Sequence, residues 1–456
     1  MVIKQIPNTR VNAKLLLTEI KEKIRVVFRP PFVKFAVTTL QILTMNKSTD
    51  YLGQPVLSQL LSLIEKSDIQ HTLRSHKANY RYKKLFLWDH LVSMLYGVFT
   101  HCTSLREIQY GLEVCQGKLN HLNLSRVPPR STLSDGNKSR PSKVFGAIYQ
   151  KLYETYKSLI SDSTLKAETA RRLYILDSTT ISLFKAILKP AGRKRSDGKS
   201  KGGMKVNTLL QAETNMPSFI NYMAAALHDQ QFYNYIKELP DHSIIVFDKA
   251  YINYHQFQLF SQRDIFYVTR QKDNSVYRSI EEFDLPEDEQ SILKDERIEV
   301  TYKYGKEDAT LQMRRVAVFS EKYQTAFVFI TNNFELSALE IAAIYQNRWQ
   351  IEVFFKKLKQ NFPLTYFYGD NTNAIEIQIW CSFIALLLLQ VLHKEQKSKT
   401  AFSILAAIVR LHLMNYISIS SIIETYKERR VRKKKVPDKP KPKQNIPPAF
   451  QMVIEM

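Results

Sequence analysis

A chain of 456 residues with 44% hydrophobic and 11% aromatic content has material for two or three packed domains and lies outside the disordered and low-complexity classes. Lys and Arg number 66 against 43 Asp and Glu, a formal charge of +23, which points to a polyanionic partner, nucleic acid first. Cys102, Cys115 and Cys381 are the only cysteines, too few and too scattered for a disulfide framework or a zinc site, so a reducing, cytoplasmic setting is expected.

Residues 1–44 carry eight Lys or Arg and two acids, and a targeting helix can be drawn through them. Met45 opens MNKSTDYLGQPVLSQLLSLI, a polar lead into a regular helix. The first 44 residues are therefore expected to be an upstream extension, poorly ordered and dispensable; loss of activity on starting at Met45 refutes this. Residues 45–160 are expected to form a helical DNA-binding domain, dense in basic and aromatic residues. In it HTLRSHKANYRYKKLFLWDHLVSMLYGVF joins a cationic stretch (Arg74, Lys77, Arg81, Lys83, Lys84) to an apolar helix. Helix starts are marked at Thr103 or Ser104, and at Ser131 or Thr132 after Pro128-Pro129. Around the second start, Arg130, Lys138, Arg140 and Lys143 suit phosphate oxygens, with a solvated loop as the alternative.

At Arg171 the texture changes. RRLYILDSTTISLF, GGMKVNTLLQA, FINYMAAAL, SIIVFDKAY and DIFYVTR read as five strands, the third and fourth followed by helices, which makes a mixed α/β sheet. GRKRSDGKSKGG, between the first two, imitates a P-loop around Gly198-Lys199-Ser200, but Arg193 stands where the first glycine belongs. It reads as a cationic hairpin loop, and no ATP requirement is expected. Residues 272–323 are polar and strand-like, a β-rich insertion, and QTAFVFITN leads back to the sheet. The catalytic core thus comes in two parts, 165–271 and 324–413. The run from Ile377 to Leu392 is short of the roughly twenty residues that span a bilayer, so a buried core helix, not a membrane anchor, is expected. Residues 414–456 hold a basic block and Lys-Pro repeats that pack no core; order is expected to fade after Leu413 into a tail with non-specific DNA affinity.

Asp177 closes the apolar run LYILD and Asp248 closes SIIVFD. Carboxylates at strand ends stand where a ligand reaches them, although Asp there is also a common turn-former. A third acid lies in IAAIYQNRWQIEVFFKKLKQ, where Tyr345, Arg348, Glu352 and Lys359 follow at offsets of three, seven and fourteen. On one helix, at about 100° per residue, they share an arc of about 60°. Ile344, Ile351, Phe354, Phe355 and Leu358 form the adjacent apolar stripe. A charged helix face alone is ordinarily solvated surface. Beside two strand-end aspartates it completes a site for hard divalent cations, because Mg²⁺ takes oxygen ligands. Trp349, next to Arg348, reads equally as core or as a platform for a distorted base.

The order of the three acids, and above all the pattern Tyr345-(2)-Arg348-(3)-Glu352-(6)-Lys359, resembles the insertion-sequence-four family of bacterial DDE transposases. LDSTTISLF, GGMKVNTLLQ, FDKAY and PRSTLSDGNKSRP look like that family's segments, so the resemblance runs from about Met45 to about Leu413. It implies a ribonuclease H-like mixed-sheet core with a β-rich insertion and an N-terminal helical domain. It implies cut-and-paste transposition: binding of terminal inverted repeats, phosphodiester cleavage and 3′-hydroxyl strand transfer. Asp177, Asp248 and Glu352 would hold two Mg²⁺, with Mn²⁺ as a substitute, and Tyr345, Arg348 and Lys359 would contact the transposon end. Double-stranded DNA, as ends and as target, is the implied partner, with a homodimer in the DNA complex and nucleoid association when bound. The second-acid motif departs from Asp-Arg-Gly-Tyr as Asp248-Lys249-Ala250-Tyr251. No Trp lies between Trp88 and Trp349 to grip a flipped base in a hairpin step, where Tyr302, Tyr304 or Tyr323 would have to serve. The alternatives are a ribonuclease H-like nuclease without strand transfer and an inactive basic DNA-binding protein.

Overall fold

The computed structural model describes residues 53–426, apart from 81, 162–166, 183–192, 195–199, 202, 225–238, 288, 363 and 397–399. The expected extension over 1–44, the helix after the third strand and the basic block after 426 lie outside the described residues.

The first part is helical: α1 (Val56–Leu61), α2 (Lys66–Ser75), α3 (Leu87–Thr100), α4 (Leu105–Val114), α5 (Arg130–Ser139), α6 (Lys143–Ile160) and the short α7 (Ala167–Arg172). Helix α4 starts where Ser104 accepts a hydrogen bond from Glu107 N at 3.3 Å, while the Glu107 carboxylate accepts one from Thr103 N at 2.8 Å. This reciprocal arrangement satisfies donors that an uncapped helix leaves orphaned. Helix α5 begins at Arg130, one residue ahead of the expected start, because Pro129 sits at its N-cap with φ already near the helical value. Arg140, expected at the surface near phosphate, is instead fully buried. It donates to Ala78 O, Leu85 O and His90 Nδ1 at 3.2, 2.7 and 2.7 Å, and His90 Nε2 meets Asn137 Oδ1 at 2.7 Å. A buried cation needs such partners, and these tie α3, α5 and the 78–85 segment together.

The second part is a sheet of nine strands in the order β5-β4-β1-β6-β7-β11-β10-β9-β8. They are β1 (Leu173–Ser182), β4 (Gly203–Gln211), β5 (Met216–Ala224), β6 (Ile244–Phe247), β7 (Phe266–Arg270), β8 (Arg278–Glu282), β9 (Ile292–Tyr304), β10 (Glu307–Ser320) and β11 (Thr325–Thr331). β2 (Arg193–Lys194) and β3 (Ser200–Lys201) form a separate antiparallel pair. The five strands read from sequence are all present. β5-β4-β1 pair antiparallel and β1-β6-β7 parallel, which is the ribonuclease H-like arrangement. Strands β8, β9 and β10 do not fold apart; β11 pairs β7 and β10 alike, so the inserted strands continue the same sheet. The long β9–β10 hairpin turns at Gly305, whose φ of +66° favours glycine.

Among the sheet strands and after them come helices α8 (Tyr254–Gln262), α9 (Ala338–Gln346), α10 (Trp349–Asn361), α11 (Thr372–Glu395) and α12 (Phe402–His412). Leu173, Ile175, Val246 and Val268 share a core with Ile344, Ile351, Phe354, Phe355 and Leu358, so α9 and α10 cover one sheet face. Leu176, Ile245, Phe247 and Tyr267 share the other core with Phe257 and Phe260 of α8. Among the described residues, α11 is the one helix long and apolar enough to cross a membrane, and 83% of its most apolar window is buried within the protein. Its polar Gln378 accepts from Tyr368 N at 2.9 Å and donates to Tyr366 O at 2.7 Å. Packing continues past Leu413, against expectation: Leu57 N donates to Leu413 O at 2.8 Å, and Ile419 and Ile423 are buried.

Candidate active site

Sheet register brings the two aspartates together. The parallel ladder ends at Leu176↔Phe247 between β1 and β6, and at Phe247↔Thr269 between β6 and β7. Asp177, Asp248 and Arg270 are the next residues on the three strands, one register step beyond. All three follow the inward alternation of Ile175, Val246 and Val268, toward α9 and α10. Asp177 does not end its strand: β1 runs on to Ser182 because β4 stays paired through Ser182↔Gly203. It stands where β6 departs, which opens space beside its carboxylate. Its Oδ1 accepts from Ser178 N at 2.7 Å. Asp248 caps the 3-10 turn Lys249–Tyr251 through Ala250 N at 3.3 Å.

The segment carrying Glu352 is two helices, not one. At Asn347 and Arg348 the backbone bonds shorten to three-residue steps, Asn347 N to Ile344 O at 3.1 Å and Arg348 N to Tyr345 O at 3.0 Å. Asn347 also donates its side-chain amide to Ala343 O at 2.8 Å. Such local side-chain bonding competes with the regular ladder. Tyr345 therefore belongs to α9, Glu352 and Lys359 to α10, and Arg348 to the joint.

Arg348 lies between two of the acids. Its Nη2 donates to Glu352 Oε1 at 2.5 Å and its Nη1 is 3.6 Å from Asp177 Oδ2. On the other side, Arg270 Nη2 is 3.9 Å from Asp248 Oδ2, and its guanidinium lies 6.0 Å from the Tyr345 ring. That ring packs on Phe329 at 5.0 Å, and its hydroxyl is buried without a well-formed hydrogen bond. Burial pushes the Asp177 carboxyl up to about 6; Ser178 N–H and Arg348 pull it down, and Asp248 and Glu352 raise it again. Burial opposes the Arg348 charge, but Glu352, Tyr345 and Asp177 outweigh it and its pKa is raised. Burial also raises the Tyr345 phenol. Lys359 is exposed in the last turn of α10. Trp349 is 63% exposed, so it is not part of the core.

Arg270 was not singled out from sequence. Its one signal was its place at the end of DIFYVTR, where a strand-end cation follows the same logic as the strand-end acids. Among the described residues no three ligating side chains stand together as a closed metal cage; Asp177 and Glu352 share the Arg348 guanidinium instead. The donor set nonetheless fits a hard divalent cation. It consists of carboxylates alone, and Asp248 and Glu352 both raise the pKa of Asp177, the excess negative charge that such a cation neutralises.

A ribonuclease H-like sheet with acids gathered at the parting of its central parallel strands defines a class of polynucleotidyl-transfer enzymes. Residues 168–388 match the family described as Transposase DDE domain, which together with the transposase relatives below supports a DDE transposase of the insertion-sequence kind. Residues 52–124 match a domain of unknown function (DUF4372). A putative transposase of Sinorhizobium fredii is 28% identical over 281 residues, 60% of this chain and 75% of that one. A probable transposase for insertion sequence element IS5377 of Geobacillus stearothermophilus is 27% identical over 234 residues, 51% and 59% of the two chains. A putative transposase for insertion sequence element IS4SA of Synechocystis is 26% identical over 271 residues, 58% and 71%. A solved piggyBac transposase chain, from a synaptic complex with hairpin DNA, aligns over 84% of this chain and 86% of its own at 12% identity, with a TM-score of 0.38. A DDE transposase domain implies dependence on a divalent metal.

Proposed function

We propose that this transposase binds the terminal inverted repeats of its element, cuts both strands at each end and joins the 3′-hydroxyls to target DNA. The observation that carries the reading is the row Asp177, Asp248, Arg270 across three parallel strands, closed from above by Arg348 and Glu352. Asp177, Asp248 and Glu352 would hold two Mg²⁺, with Mn²⁺ as a substitute. When bound, such ions supply Lewis acidity at the scissile phosphodiester and ease deprotonation of the attacking hydroxyl.

The chain's own groups do the rest. Arg348, held at the joint between α9 and α10, offers fixed positive charge where negative charge accumulates on the phosphate in the transition state. Arg270 does the same from the Asp248 side, and the Tyr345 hydroxyl beside it would donate to a phosphate oxygen. Lys359, exposed in the last turn of α10, grips the backbone further out, and exposed Trp349 offers a face to an unstacked base. Pairing two ends calls for a homodimer on DNA. The setting is the bacterial cytoplasm, with nucleoid association on DNA, and neither ATP nor a membrane takes part.

The test combines purified protein, Mg²⁺ and a linear DNA bearing the ends of the source element. Excision with joining supports the reading. Cutting without joining supports a ribonuclease H-like nuclease, and binding alone an inactive DNA-binding protein.

A further inference from the structure

Three segments distant in sequence enclose a cleft of about 370 Å³ on the helical part of the molecule. The start of α4 supplies Ser104 and Arg106, the first turns of α5 supply Arg130 and Ser134, and the loop after α10 supplies Tyr368 and Gly369. The walls are fixed independently of any ligand. Arg130 N donates to Gln109 Oε1 of α4 at 2.7 Å, which sets the two helix starts side by side. Tyr368 donates its hydroxyl to Cys102 O at 3.0 Å. A Cβ at Gly369 would lie 2.5 Å from the Ala374 methyl, so the loop approaches α11 as closely as only glycine permits.

The chemistry of the lining is one-sided. Arg106 and Arg130 are both exposed, and among the described residues neither guanidinium has an ion-pair partner. The neighbouring acid, Glu107, is engaged by Thr103 N at 2.8 Å and by the Thr103 hydroxyl. Two free guanidiniums with two hydroxyls suit a tetrahedral oxyanion. The cleft is open, and its aromatic lining is Tyr368, which is 4% exposed, and the half-buried Phe367. A free nucleotide is ordinarily enclosed over most of its surface, whereas a backbone phosphate of a long duplex is not. We infer that this cleft seats one backbone phosphate of duplex DNA, between Arg106 and Arg130, at the seam where the helical part meets the segment leaving the catalytic helix. The inference rests on the transposase reading for its choice of DNA, but not on cleavage.

The test uses the full chain and two fluorescently labelled duplexes, one with the element's ends and one unrelated, bound in EDTA across a series of KCl concentrations. Replacing both arginines (Arg106→Ala with Arg130→Ala) is expected to weaken binding to both duplexes by about tenfold. It should also flatten the log–log salt slope by about 0.9, the loss of one phosphate contact. Arg106→Lys with Arg130→Lys should restore the slope, and Lys157→Ala, which removes an exposed charge on α6 ion-paired to Glu154 at 2.5 Å, should leave it alone. An unchanged slope in the Ala pair, or an equal change in Lys157→Ala, overturns the inference. So does a cleft that takes millimolar inorganic phosphate, read as arginine-dependent thermal protection, while DNA affinity is the same in wild type and Ala pair. Because no metal is present, failure of DNA cutting and failure of this site are separate results.

Discussion

Asp177 and Asp248 lie side by side on neighbouring parallel strands, one register step past the last paired residues, Leu176 and Phe247. Their proximity is a property of the sheet and persists without metal or DNA. The consequence is an acid held in the fold at a cost, since burial and the other carboxylates push Asp177 up to about 6 from 3.8.

Asp177→Asn should therefore stabilise the metal-free protein while abolishing DNA cleavage. A raised folded-state pKa means that the native form binds more protons, so the Asp177 contribution to stability falls as pH rises from about 4 through about 6. The gain from Asn should be near zero at pH 4 and reach about 2–3 kcal/mol above pH 6.5. Urea denaturation of both proteins at pH 4, 5.5 and 7.5 in EDTA reads this; a variant less stable at pH 7.5 contradicts it.

Arg348→Ala should have the opposite effect. It strips the shared countercharge from Asp177 and Glu352, leaving carboxylates with no cation between them. A loss of about 1–3 kcal/mol is expected at pH 7.5 without metal, reduced by added Mg²⁺. Strand cleavage should drop by two orders of magnitude or more, as for removal of one positioned donor. Calorimetric melting with and without Mg²⁺, beside the cleavage assay, separates the two roles.

Trp349→Ala tests whether the exposed indole serves DNA. With 63% of its surface open, its loss should change stability by no more than about 0.5 kcal/mol. Affinity for transposon-end DNA should fall by about 1–3 kcal/mol if a base stacks there. A large fall in melting temperature with unchanged DNA affinity would reverse the assignment.

Arg140→Met keeps volume but leaves Ala78 O, Leu85 O and His90 Nδ1 without their donor. The loss should exceed about 3 kcal/mol in the urea midpoint. In the wild type, burial and Arg140 hold the His90 imidazole down at about 3, so its ring resonances should not titrate between pH 4 and 8.

The acids themselves were legible in the sequence, as was the strand set, because each strand is a short apolar run closed by polar residues. The site's finer placement was not. How far β1 extends past Asp177 depends on β4 across the sheet, and Arg270 becomes a neighbour of Asp248 only through register with β6. Neither relation is local. The joint at Asn347 and Arg348 has no Gly or Pro to announce it, and helical spacing alone continues straight through. Arg140 looked like surface because a basic residue gives no sign, in sequence, of three acceptors waiting inside. The cleft was invisible for the same reason as Arg270, since Ser104, Arg130 and Tyr368 meet only in the folded chain.

Phe329 of β11 pairs directly with Arg270 of β7, and β10, β9 and β8 follow on in the same sheet, with register shifts at Ala317/Val318 and Ser279/Glu281. The inserted hairpins are thus an outrigger bolted to the catalytic strands, with no flexible tether between. A load placed on the far strand is therefore passed toward Asp248 through backbone hydrogen bonds from strand to strand.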